Sequence, residues 1–176
     1  SLDGLARGNH EFFIFQYTLA GRGGLEYEGD FKSLKPGEAM LVRIPHRHRY
    51  FLPADSEFWE FVYLCVHGSQ ANAVLNEVLK TSGPILTFDG KSEAVLNPLQ
   101  ELLALSAGKS VVSPFQASAI TYEFVMNLAD EHIAGGGKRS WSDPVEKAVA
   151  CAHRKYRQHI GVNDLAAAAG LSHSYF

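Results

Sequence analysis

Turn-forming residues recur through residues 12–67 at intervals too short for helices, and this spacing constrains the fold more than any other feature. Gly21-Arg22-Gly23-Gly24, Gly29-Asp30 and Pro36-Gly37 divide the region into short apolar and aromatic stretches. The spacing predicts strands over Phe12–Leu19, Leu25–Leu34, Ala39–Ile44, His48–Leu52 and Phe58–Val66, with Leu25–Leu34 folded into a hairpin about Gly29-Asp30. Pro36-Gly37 suits the two centres of a type II turn, because proline presets φ and glycine accepts a positive φ. Short strands at regular turn spacing point to a sandwich or small barrel.

After Gly68 the apolar period changes from strand to helix. Val74, Leu75, Val78 and Leu79 mark one helix, stopped by Gly83-Pro84. Val95, Leu99, Leu102 and Leu103 mark a second, with Asn97-Pro98 near its start. The third, over 113–134, carries Phe115, Ala119, Tyr122, Met126, Ala129 and Ile133 in one stripe, with Gln116, Glu123, Asn127, Asp130 and Glu131 opposite. A stripe this narrow suits a helix–helix seam, either with a second copy of the chain or with the chain's own strands. Gly135-Gly136-Gly137-Lys138-Arg139 then reads as a linker, dividing the chain into 1–137 and 138–176.

A chain of 176 residues can hold one domain and part of another. Its 46% apolar and 20% charged residues exclude a disordered polymer. No apolar run reaches the roughly 20 residues of a membrane helix, so no membrane partner is expected. Ser1-Leu2-Asp3-Gly4 has no basic or apolar export signature and no initiator Met, so the expectation is a trimmed cytoplasmic protein. Cys65 and Cys151 form no CxxC pair and are expected to be reduced thiols. The net charge of −3 is uneven: six basic residues meet three acidic ones from Lys138 onward, and the preceding body is acidic. That asymmetry fits a tail that touches nucleic acid, and equally an ordinary solvated surface.

Beyond the linker, Ser142-Asp143-Pro144 supplies a cap and a first-turn proline for a helix with apolar Val145, Ala148, Val149, Ala152 and Tyr156. Next come an alanine-rich helix capped near Asn163, a turn at Gly170, and Ser172 placed to cap another helix. Ala166, four residues before Gly170, is small enough for two helices to cross, and Leu165, Ala169 and Phe176 are placed to bury the corner. This is the pattern of a helix-turn-helix, whose second helix enters the DNA major groove, or of a plain αα-corner. Ser172, His173, Ser174 and Tyr175 would open the groove-reading helix. The sequence ends about one turn later, so this fragment is not expected to bind operator DNA by itself.

Here the sequence resembles the AraC family of transcription regulators. Asp164-Leu165-Ala166, Gly170-Leu171-Ser172 and Ser174-Tyr175-Phe176 are similar to the first of that family's two helix-turn-helix units. Phe12–Gly23 resembles its strand ending in G-x-G, and Leu34-Lys35-Pro36-Gly37-Glu38 its L-x-P-G-[DE] turn. Ile44-Pro45 with His48-Arg49-Tyr50 resembles its P…H-x-Y strand, and Trp59-Glu60-Phe61 through Val66-His67-Gly68 the aromatic strand closing the barrel. The resemblance implies an α+β chain: an N-terminal cupin-like β-barrel of jelly-roll type over about 1–67, helices over about 69–134 with a dimerisation element, then an incomplete helix-turn-helix domain. It implies a homodimeric, ligand-responsive regulator that uses operator DNA when full-length. It also implies that Arg7, His48, Tyr50, Trp59 and Tyr63 fall near effector-pocket positions of sugar-responsive members.

A small barrel lined with aromatics suits a modest ligand, sugar-like or a small organic acid. Tyr17, Tyr50, Trp59, Phe61 and Tyr63 are candidate walls, with Arg7 and His48 as polar anchors; the alternative is a plain core and a solvated Arg7. His46-Arg47-His48 on a strand would put two imidazoles on one face, as in metal-dependent cupin enzymes, which is the competing reading. No carboxylate follows at Arg49–Pro53, which makes a poor iron or manganese site, so no metal or cofactor is expected. Gly108-Lys109-Ser110 has Leu103 where a phosphate loop needs glycine, and Cys65 has no placed base. No catalytic residue is expected.

Overall fold

A computed structural model describes residues 2–88, 92–108, 113–134, 143–155, 160–173 and 175. The expected linker 135–139 lies outside the described residues, as do Lys109, Ser110, Ser142, Tyr156, Ser174 and Phe176. The chain divides into two compact units, 1–136 and 137–176.

In the first unit the strands form two antiparallel four-stranded sheets. One has the order β1 (Leu2–Asp3), β6 (His48–Phe51), β3 (Gly23–Tyr27), β4 (Asp30–Leu34). The other has the order β7 (Trp59–Val66), β2 (Phe12–Gly21), β5 (Glu38–Ile44), β8 (Ile85–Thr87). They pack face to face through Ile14, Met40, Val42 and Ile44 on one side and Leu25, Leu34 and Tyr50 on the other. Among the described residues no ladder joins the two sheets, which face each other as the layers of a sandwich, one of the two expected architectures. Nor does the sheet end at residue 67. The short strand β8 comes back after the first helix to pair with β5, and its few residues are too short to show a period.

The turns follow from their residues. Tyr27 pairs with Asp30, leaving Glu28 (φ 54°) and Gly29 (φ 99°) as a two-residue loop, one position earlier than the sequence pattern implied. The Glu38 N–H donates to the Lys35 carbonyl at 3.0 Å with Gly37 at φ 86°, as the Pro-Gly pair requires.

Three helices cover the outer face of the β2 sheet. They are α1 (Ser69–Ser82), α2 (Glu93–Ala107) and α3 (Pro114–His132). Phe13, Phe15, Ala39, Leu41 and Val66 meet Leu75, Val78, Val95, Leu99, Phe124, Val125 and Leu128 there in a fully buried core. Pro98 falls inside α2 rather than near its start, and it removes the N–H that would otherwise reach the Ala94 carbonyl. The Asn127 side-chain amide of α3 donates to that same carbonyl at 2.7 Å. Ser92 donates to Glu131 at 2.6 Å, so two residues assigned by pattern to a solvent face instead tie α3 to α2.

The second unit contains α4 (Asp143–Lys155) and α5 (Val162–Ala169), which pack together and bury Ala148, Cys151, Ala166 and Ala169. The first turn of α5 begins at Gly161 rather than near Asn163, with the Gly161 N–H donating to the Asp164 carboxylate at 2.8 Å. Gly170 stops α5 in the left-handed region (φ 70°), and the Leu171 N–H returns to the Ala166 carbonyl at 2.9 Å. No helix among the described residues is long and apolar enough to cross a membrane.

Candidate functional site

Side chains alternate across a strand, so β2 serves two different environments. Its odd-numbered Phe13, Phe15 and Tyr17 face the helices, and its even-numbered Ile14, Gln16 and Thr18 face the interior between the sheets. Gln16 pairs in register with Tyr63 and Thr18 with Phe61, which sets Trp59, Phe61, Tyr63 and Cys65 of β7 on the interior face as well. Because β7 is an edge strand, this face is incompletely covered: Tyr63 is exposed, and Trp59, Phe61 and Cys65 are half-buried.

Trp59 reaches across to the opposite sheet. A Cβ on Gly23 would sit 2.1 Å from the indole, so only glycine lets the ring lie there. The indole N–H donates to the Thr18 hydroxyl at 3.2 Å, and the Phe61 ring lies 4.7 Å from it between centroids. Together with Leu2, Tyr50, Phe51 and Leu52, Trp59 and Phe61 line a cavity of about 210 Å³.

The N-terminal segment covers the other wall. Leu2 pairs with Tyr50, and the Gly4 N–H donates to the His48 carbonyl at 2.9 Å. A Cβ on Gly4 would stand 2.2 Å from the His48 ring, so this close approach again requires glycine. The following single turn, Leu5–Arg7, brings the Arg7 guanidinium onto the Tyr50 hydroxyl, which accepts its hydrogen bond. Tyr50 is buried, and burial raises its phenol above the ordinary value while Arg7 opposes that shift. Burial likewise raises the Cys65 thiol, with Arg7 again opposing.

His48 is the most perturbed group here. It is 4% exposed and stacks on Tyr50, and neither of its ring nitrogens has a hydrogen-bond partner. Burial, reinforced by His46 and Arg7, lowers its pKa from 6.5 to about 4, so it is neutral at pH 7. Gln16 is 2% exposed and its side-chain amide nitrogen also lacks a partner. Buried polar atoms are nearly always satisfied in folded proteins, so these nitrogens on the inner faces are open to a further hydrogen-bond partner.

The structure brings Arg7, His48, Tyr50, Trp59, Phe61 and Tyr63 to the inner faces and the segment over them. Tyr17 is different: it lies on the opposite face of β2, edge-on to Phe88 in the helix-side core, because its odd position sends it there. Gln16 and Thr18 are the interior polar residues that the sequence reading passed over. The signal was two polar side chains at alternate positions within an otherwise apolar strand.

His46 is not on a strand. It sits in the connection between β5 and β6, stacked on Tyr27 at 4.6 Å between centroids, with its Nε2 3.2 Å from Glu28. Its ring nevertheless stacks beside that of His48 at 5.9 Å between centroids, so the two imidazoles lie together as expected although His46 is off the strand. No group of three or more His, Cys, Asp or Glu side chains able to hold a metal occurs among the described residues.

The expected seam on α3 is split. Phe115 (84% exposed), Ala119, Tyr122 (59%) and Ile133 face solvent, whereas Met126 and Ala129 pack on the helix-side core. The buried face is Ile120, Phe124, Val125 and Leu128, offset from the expected stripe because α3 meets α1 and α2 at once. In the tail, Ser172, His173 and Tyr175 are exposed, and the Ser172 carbonyl accepts from the Tyr175 N–H at 3.0 Å.

A family model described as AraC-like ligand binding domain matches residues 2–125. No curated protein matches the sequence. Among solved structures, the chain is similar to the crystal structure of the AraC-like transcriptional activator CuxR, with a TM-score of 0.52 at 12% identity. That alignment covers 94% of this chain and 59% of the activator, and the likeness is one of fold.

Proposed function

Because this chain belongs to the family of AraC-like ligand-binding domains, we propose that it is the sensing part of a ligand-responsive transcription regulator. A small effector would enter the interior between the sheets, and the acidic body over 1–137 would present it while the tail over 138–176 begins a DNA-binding domain. The observation that carries this reading is the pair of buried, unpartnered polar groups, Gln16 and His48, on inner faces shared with Tyr50, Trp59 and Phe61. A plain core at these positions would leave their desolvation uncompensated.

The exposed aromatics Phe115 and Tyr122 support α3 as a seam to a second copy, and the alanine-lined contact of α4 with α5 supports the start of a helix-turn-helix. Ligand occupancy would then act on operator binding by the cytoplasmic, full-length homodimer through the packing of α3, a coupling between two sites. Mass spectrometry of small molecules retained by the purified chain tests the sensing role. A retained compound that also raises the melting temperature is expected, and a chain that retains nothing and is shifted by no member of a sugar and acid panel overturns it. Phe115→Glu with Tyr122→Glu is expected to halve the sedimenting mass, and an unchanged mass removes α3 as the seam.

A further inference from the structure

The geometry points to a carboxylate as the group this interior recognises: we infer that the effector is a small monocarboxylic acid with an apolar body, not a sugar, and that Arg7 makes that choice. The inference rests on the sensing role proposed above and names the chemistry of the same site.

Arg7 is a partly buried guanidinium whose hydrogen bond goes to a neutral phenol, and it makes no ion pair among the described residues. A charge withdrawn from water is ordinarily paired. The inner positions of the surrounding strands supply no acid: Phe12, Ile14, Gln16 and Thr18 on β2, His48 and Tyr50 on β6, Trp59, Phe61, Tyr63 and Cys65 on β7. The carboxylate of β1, Asp3, accepts the Leu5 N–H at 2.8 Å and its charge reaches His48, but it forms no ion pair with Arg7. A guanidinium with no anion beside it is therefore a site for an anionic ligand, and its planar fork matches a carboxylate.

The walls of the cavity beside it are nearly all apolar. Leu2, Phe51, Leu52 and Phe61 carry no polar side-chain atom, and the one indole N–H of Trp59 is already given to Thr18. Only the Tyr50 hydroxyl, at the Arg7 end, remains to meet a polar group. Most hydroxyls of a sugar placed there would face apolar side chains that offer them no hydrogen bond. An apolar body fits instead, and about 210 Å³ suits one ring or a short branched chain, given that a dry cavity of about 150 Å³ takes benzene.

The test is calorimetric titration of the 176-residue chain with four probes: benzoate, 3-methylbutanoate, benzamide and arabinose. At least one acid is expected to bind, benzamide at least about tenfold more weakly than benzoate, and arabinose not measurably. Arg7→Gln is expected to erase the difference between benzoate and benzamide in a chain that still unfolds cooperatively, and Arg7→Lys to retain part of it. Arabinose or benzamide binding as tightly as benzoate overturns the carboxylate while leaving the sensing role intact. A preference for benzoate that survives in Arg7→Gln removes Arg7 from the choice. If neither acid binds up to about 10 mM, the inference fails. Retention of a neutral compound in the mass spectrum would then show that the sensing role stands without it.

Discussion

The two faces of β2 are built from one strand yet obey opposite rules. On the helix side, Phe13 and Phe15 are wholly buried among Phe88, Phe124, Leu75 and Leu128, and Phe15 meets Phe88 and Phe124 edge-on at 5.9 and 4.9 Å between centroids. On the sheet side, Gln16 and Thr18 sit just as deep, paired in register with Tyr63 and Phe61. A residue's depth therefore says nothing about its role here. What separates the faces is composition: the β2 residues of the first are aromatic, and the second gathers Gln16, Thr18 and His48, of which Gln16 and His48 have side-chain nitrogens without partners. The first holds the fold together, and the second carries a cost in unpaired polar groups that the proposed sensing role accounts for.

The largest way to break this contrast is to truncate the helix-side core. Phe15→Ala should lower the unfolding free energy by about 3–5 kcal/mol, read from chemical denaturation, because it removes a ring that touches two others in a close-packed cluster. A loss well under that range would mean that the three helices do not depend on β2 for their seat.

The second effect belongs to the sheet side and depends on pH. His48 takes a proton at the ordinary 6.5 when unfolded and resists until about 4 when folded. Its contribution is therefore fully present above pH 6.5 and is lost as pH falls toward 4, by up to about 3 kcal/mol. Asp3 opposes that shift, and His46 and Arg7 reinforce it. His48→Gln should flatten this part of the stability profile between pH 7 and pH 4.5 relative to the native chain. Parallel profiles for the two chains would show that the imidazole is solvated.

Much of this contrast was legible in the residues themselves. Glycine and proline fixed most strand ends, because a positive φ or a preset φ leaves few alternatives at Gly37 and Pro36. The α3 period also predicted a helix over nearly the observed span. What the pattern missed was lateral context. Tyr17 and Gln16 are neighbours in sequence, and only the pairing of β2 with β5 and β7 decides which of them faces the interior. Asn127 and Glu131 look like solvent residues until the carbonyl freed by Pro98 and the Ser92 hydroxyl are known to face them. His46 fell outside the strand because the connection from β5 to β6 uses residues 45–47, which alternation alone does not reveal. Gly23 read only as part of a turn and Gly4 gave no signal, since what they make room for lies dozens of residues away.

The smallest effect sharpens the comparison most, because its sign is reversed. Gln16→Leu replaces a buried amide whose nitrogen has no partner with an apolar side chain of similar size. Removing an unsatisfied polar group is neutral or favourable, so the variant should be more stable by up to about 1 kcal/mol, seen as a higher denaturation midpoint at unchanged slope. The same change should weaken the binding of whatever compound the native chain retains, since it deletes a donor the ligand would use. Stability rising while binding falls is the mark of a residue kept for recognition. A Gln16→Leu chain that is clearly less stable would mean that the amide is satisfied, and the interior face would then obey the same rule as the helix side.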